Sequence, residues 1–166
     1  VRPVAGRLRE LRTIGRVKTF PRPGSYASFR VAFASGATTG SEAGAFSEIR
    51  YQKPAVFLHL GNQHSEAEVP DELDAWLNLY EKALDSFTQA ELYRDVPLVY
   101  TWNERDAGGQ AAHRAYRTVI PHYPLPADRP DAPADQLNPI SQAFTIGRAR
   151  FIVLDTQTHR TPIDVE

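Results

Sequence analysis

The segment Ala55-Val56-Phe57-Leu58-His59-Leu60 is almost continuously apolar, and this run limits the possible folds more than any other feature of the chain. A strand with one wet face alternates apolar and polar residues, whereas an unbroken run suits a strand covered on both faces. Two further segments share that character. Phe29-Arg30-Val31-Ala32-Phe33-Ala34 runs into the small-residue loop Ser35-Gly36-Ala37-Thr38-Thr39-Gly40-Ser41, and Pro97-Leu98-Val99-Tyr100-Thr101-Trp102 forms the third. Between the second and third strands the period changes. Leu73, Leu77, Tyr80, Leu84 and Phe87 recur every three or four residues, which predicts one long amphipathic helix from about Pro70 to Leu92. Pro70 suits its first turn, and acidic residues cluster there. Shorter helices are expected over Gly44–Arg50 and Ala111–Val119. Strands near 28–34, 55–60 and 97–102 alternating with helices imply right-handed crossovers and a mostly parallel sheet.

Beyond the last helix, Pro121 to Pro139 is rich in proline and predicts a long loop. Apolar structure then resumes. Ser141–Ile146 and Arg150–Leu154 flank Gly147-Arg148, a tight β-hairpin signal, and Asp155 to Pro162 is a polar exit. The fold class is therefore α/β, with a central parallel sheet plus a hairpin, over residues 28–166. Residues 1–27 form a basic, Pro/Gly-rich arm. Its Arg2, Arg7, Arg9, Arg12, Arg16, Lys18 and Arg22 have few aromatic residues interleaved, so a solvated arm fits better than a nucleic-acid contact.

The 166 residues suffice for one domain with a sizeable core, and a net charge of −1 creates no field that would draw the chain to nucleic acid or an anionic membrane. No apolar run reaches the ~20 residues of a membrane-spanning helix. Cysteine is absent, which excludes disulfides, thiolate metal sites and cysteine nucleophiles. The chain begins Val1-Arg2-Pro3-Val4, without methionine and without the apolar stretch of a signal peptide. It is therefore expected to start within a longer reading frame or after processing.

In open parallel sheets, ligands bind beyond the carboxyl ends of the strands. That rule selects the loops Ser35–Ser41, Gly61–Glu68 and Asn103–Gly109. Backbone amides of the first could approach a phosphate oxygen. The second and third contain Asn62, His64, Ser65, Glu66, Asn103, Glu104, Arg105 and Asp106. Oxygen and imidazole groups from several strand ends could converge on a hard metal, with His64, Glu66, Glu104 and Asp106 as the possible ligands. Each of these also reads as an ordinary hydrogen-bonded loop residue. A di-metal centre needs anionic carboxylates, yet Asn62 and Asn103, the first polar residues after two strands, are neutral. His59 reads as a satisfied interior histidine and Trp102 as core. Arg105 could contact an anion or form a salt bridge, and Glu104 and Asp106 could form an acid–base pair.

These loops carry a resemblance to the PhoD-like (alkaline phosphatase D) metallophosphatases. Phe29–Gly36 resembles that family's strand and loop ending in Ser-Cys, Phe57-Leu58-His59-Leu60-Gly61-Asn62 its Leu-His-Leu-Gly-Asp, and Thr101-Trp102-Asn103-Glu104-Arg105-Asp106 its Thr-Trp-Asp-Asp-His-Asp. Phe144–Gly147, Phe151–Thr156 and Arg160-Thr161-Pro162 resemble the later strand pair and its exit, and Thr19-Phe20-Pro21 the approach to the domain. The resemblance implies half of an αββα sandwich. It also implies metal-dependent hydrolysis of phosphomonoesters or phosphodiesters, with calcium, iron or zinc as the metal, and an extracytoplasmic location in a bacterium.

The departures fall where that family does its chemistry. Gly36 stands at the cysteine that ligates iron, Asn62 at the bridging aspartate and Ser65 at a tyrosine. Asn103 stands at the first aspartate of the third loop, Arg105 at the histidine, and Gln110 and Ala111 at an asparagine pair. Asn62, His64, Asn103 and Arg105 are the candidate catalytic positions. Gly36, Asn62, Ser65 and Asn103 are substituted ligand positions, with Glu66, Glu104 and Asp106 as residual ligands. The family's second half, which supplies a further histidine-bearing metal motif, is expected to be missing. Three functions remain open: a phosphate-ester hydrolase with impaired activity; a non-catalytic relative that binds a partner or self-associates through an uncovered sheet face; and, more distantly, an α/β binding module unrelated to phosphatases.

Overall fold

The structure is a computed structural model that describes residues 18–122 and 139–160. The expectations for most of the arm, for most of the proline-rich loop and for Thr161-Pro162 lie outside the described residues. Three strands, β1 (Val31–Ala34), β2 (Val56–Leu60) and β3 (Leu98–Thr101), form a parallel sheet in the order β1-β2-β3. The register sets Ala34 beside His59 and Leu60 beside Thr101, so all three strands end at one edge. β4 (Gln142–Ile146) and β5 (Ala149–Val153) form an antiparallel hairpin. It turns at Gly147, whose φ is +57°, in the left-handed region that favours glycine. A Cβ there would also come within 3.0 Å of the Ser25 carbonyl oxygen.

The helices are α1 (Gly44–Tyr51), α2 (Leu73–Asp85), α3 (Phe87–Asp95) and α4 (Gln110–Val119). The single helix expected over Pro70–Leu92 is thus two. The break is at Ser86, whose ψ of 140° is extended and ends α2 while starting α3. The sequence around Ser86 carries no glycine or proline; Ser86 turns its hydroxyl to the Ala83 carbonyl at 3.1 Å, and a residue 45 positions before Phe87 supports the new helix. The Glu42 carboxylate accepts hydrogen bonds from the Phe87 and Thr88 amides at 2.5 and 3.1 Å. It thereby satisfies donors that a new helix N-terminus exposes and favours their partial positive charge. The burial pattern follows the break. Trp76, Leu79, Tyr80 and Ala83 are buried along α2, while Leu84 and Phe87, expected on the apolar stripe, are exposed.

Alternate residues of the sheet face different layers. Phe57 packs with Phe46 of α1 and with Leu92 and Val96 at α3, while Tyr100 and Trp102 join Trp76, Leu79, Tyr80, Ala112 and Tyr116. On the opposite face, Val56 and Val99 pack against Phe144, Ile146 and Val153 of the hairpin, with Phe20 and Phe29 closing the edge. Val56 and Phe57 are both fully buried, which explains the unbroken apolar run, and each contributes about 1.5–3 kcal/mol by leaving water. The hairpin does not cover the whole face. Phe33 and Leu60 point the same way as Val31 and Val56 but remain 72% and 41% exposed.

Candidate functional site

The loops after β1, β2 and β3 meet at the carboxyl edge of the sheet. The Gly36 amide donates to the Gly61 carbonyl at 3.1 Å and the Ala37 amide to the Asn62 carbonyl at 2.7 Å, so the first loop continues beside the second. Gly61 and Asn62 both have positive φ, +85° and +55°, which turns the chain sharply off β2. Asparagine is among the few side chains that enter this region readily. An added Cβ on Gly61 would meet the Asn103 backbone nitrogen at 2.9 Å, so the second and third loops touch there. Gly36, Asn62 and Asn103 therefore share one small region.

At its centre is Asp106, which is 1% exposed. Its carboxylate accepts hydrogen bonds from the amides of Asn62, Gln63 (3.0 Å) and Asn103 (3.4 Å). A buried carboxylate is costly unless such donors surround it, and here they come from two loops. Asp106 thus ties the second loop to the third. His64 lies against it, with Nε2 3.5 Å from Oδ1. The imidazole, with Gln63, Trp76, Leu79 and Tyr80, lines a narrow cavity of about 10 Å³, and its ring lies 5.7 Å from that of Trp76. Burial pushes its pKa below the ordinary histidine value, against the opposing pull of Asp106 and Glu66. Neither ring nitrogen makes a hydrogen bond among the described residues, and the same holds for the buried Oδ1 of Asn62.

The other candidate residues are engaged elsewhere. Ser65 and Thr39 exchange bonds: the Ser65 amide donates to Thr39 Oγ1 at 3.1 Å and the Thr39 amide to Ser65 Oγ at 3.3 Å. Thr39 Oγ1 also donates to Glu66 at 3.0 Å. Ser65 and Glu66 are exposed and hold the first loop to the second. Glu104 is exposed and lies 3.6 Å from Arg160. Asn103 Oδ1 accepts the Arg105 amide at 3.1 Å, a local turn contact. Glu104 and Asp106 therefore do not form an acid–base pair, since one is in solvent beside an arginine and the other is buried among amides.

A second carboxylate organises the neighbouring segment. Asp155 accepts hydrogen bonds from Trp102 Nε1 (3.0 Å), the Ile140 amide (2.8 Å), the Gln157 amide (2.9 Å) and the Thr158 amide (3.0 Å), as well as the Thr158 hydroxyl. Burial alone would raise its pKa, but these donors hold it below the usual carboxylate value. The sequence marked Asp155 as the start of a polar exit and within the resemblance at Phe151–Thr156, but gave it no such role. His113 packs its ring 4.9 Å from that of Trp102, and burial pushes its pKa down to about 4. Nothing in the helical pattern of Ala111–Val119 marks it. His59 is buried between Phe57 and Tyr100, but it is not the satisfied histidine expected: its Nδ1 has no hydrogen-bond partner among the described residues.

The residues present do not fit a di-metal centre. Gly36 offers no side-chain donor, Asn62 and Asn103 offer neutral amides, and Asp106 is the one carboxylate buried at the centre, too few anionic groups to offset two cations. Among the described residues, no three His, Cys, Asp or Glu side chains converge as a metal-ligand set. No helix among them is long and apolar enough to cross a membrane. No protein-family model matches this sequence, and no curated protein matches it significantly.

Proposed function

We propose that the chain is a relative of the PhoD-like phosphoesterases that keeps the strand-end framework of their site without a competent metal centre. Hydrolysis of phosphomonoesters and phosphodiesters is then weak or absent. One observation carries the reading: Asp106 is the one carboxylate buried at the strand ends, where it accepts amides of the second and third loops, and among the described residues no set of further acidic or imidazole ligands converges with it to hold a pair of cations. The sequence resemblance supports the family, and the substituted positions 36, 62, 65 and 103 support the loss of activity.

Replacing a carboxylate ligand by an amide lowers metal affinity by well over the tenfold that ~1.4 kcal/mol represents. The test is turnover of p-nitrophenyl phosphate and bis(p-nitrophenyl) phosphate with calcium, iron and zinc added in turn. The expected rate does not rise above that of metal in buffer. Metal-dependent turnover that survives repurification would overturn the proposal. The combined variant Gly36→Cys, Asn62→Asp, Asn103→Asp is expected to retain more metal than the unmodified chain by elemental analysis, before any gain in turnover.

A second reading, a non-catalytic module that self-associates or binds a partner, is favoured by the exposure of Phe33 and Leu60 on a sheet face the hairpin leaves partly open. It is compatible with the first, since a chain that has lost its metal centre can still use its sheet as an interface.

A further inference from the structure

We draw no further inference here: the strongest candidate, the small cavity that His64 lines with Gln63, Trp76 and Tyr80, is the inner wall of the strand-end site already described.

Discussion

Removing the Asp106 carboxylate tests the central claim about the site, because a loop clamp and a metal ligand respond differently. A hydrogen bond to a charged group contributes about 1.5–3 kcal/mol net, and a buried donor left without a partner costs about 1–3 kcal/mol. Asp106→Ala orphans the amides of Asn62 and Gln63, while the Asn103 amide, at 3.4 Å, is a weak bond that adds little. The two strong bonds give a loss of about 3–5 kcal/mol, taken below their simple sum because bonds in one network are not additive. A small domain has only about 5–15 kcal/mol of stability, so Asp106→Asn supplies a milder second arm. It keeps one acceptor oxygen but sets an amide NH2 against a backbone donor, for an expected loss of about 2–3 kcal/mol.

The chain has two tryptophans, and both report on this region. Trp76 packs against His64, and Trp102 precedes the third loop. Urea unfolding followed by their fluorescence gives both losses directly. A loss under about 1 kcal/mol for Asp106→Ala would refute the clamp, since no buried carboxylate with these partners could be removed so cheaply. Zinc or calcium supplies an independent readout. A ligand that binds only the folded state stabilises it in proportion to RT ln(1 + [L]/Kd). A metal-ligating Asp106 would make the unmodified chain more stable with added metal and Asp106→Asn indifferent to it. A clamp leaves both indifferent.

Three further outcomes are expected. The His59 pKa is pushed by burial from 6.5 to about 4, so between these values the unfolded chain binds a proton that the folded chain does not. Stability therefore falls as pH drops through that window, by roughly 3 kcal/mol for this residue, and levels off below it. His113 acts in the same direction, so His59→Phe should reduce the slope of urea-unfolding stability between pH 7 and pH 4 without abolishing it; an unchanged slope would rule out the assignment to His59. Gly61→Ala should cost at least about 2 kcal/mol in the same assay, because the new Cβ meets the Asn103 backbone at a positive φ, and a neutral result would mean the loops do not touch there. Sedimentation equilibrium across micromolar concentrations should show self-association that Phe33→Lys weakens; a cooperative, compact monomer of the unmodified chain would sink that reading.

The particular residues show where the sequence is a sufficient guide and where it is not. The apolar run Ala55–Leu60 is legible because burial on both faces is a property of consecutive residues, and the structure fills both sides of Val56 and Phe57. The parallel order follows from the lengths of the connections. The helix break at Ser86 is marked only by Ser86 and Gln89, a Ser-x-x-Gln helix-start pattern that the longer apolar periodicity masks; its other support, the carboxylate of Glu42, no local pattern connects to Phe87. The site divides in the same way. That the loops after β1, β2 and β3 lie at one edge follows from topology. What Asp106 does there depends on three amides whose positions are set by the left-handed pair Gly61-Asn62 and by the approach of the third loop. A carboxylate in a loop reads identically in sequence whether it accepts backbone amides or ligates a cation. Backbone donors belong to every residue type except proline, so the amides that Asp106 accepts leave no mark in the sequence. Loop carboxylates at strand ends are therefore positions whose role only the fold reveals: Asp106 holds the loops after β2 and β3 together, while positions 62 and 103 beside it carry neutral amides.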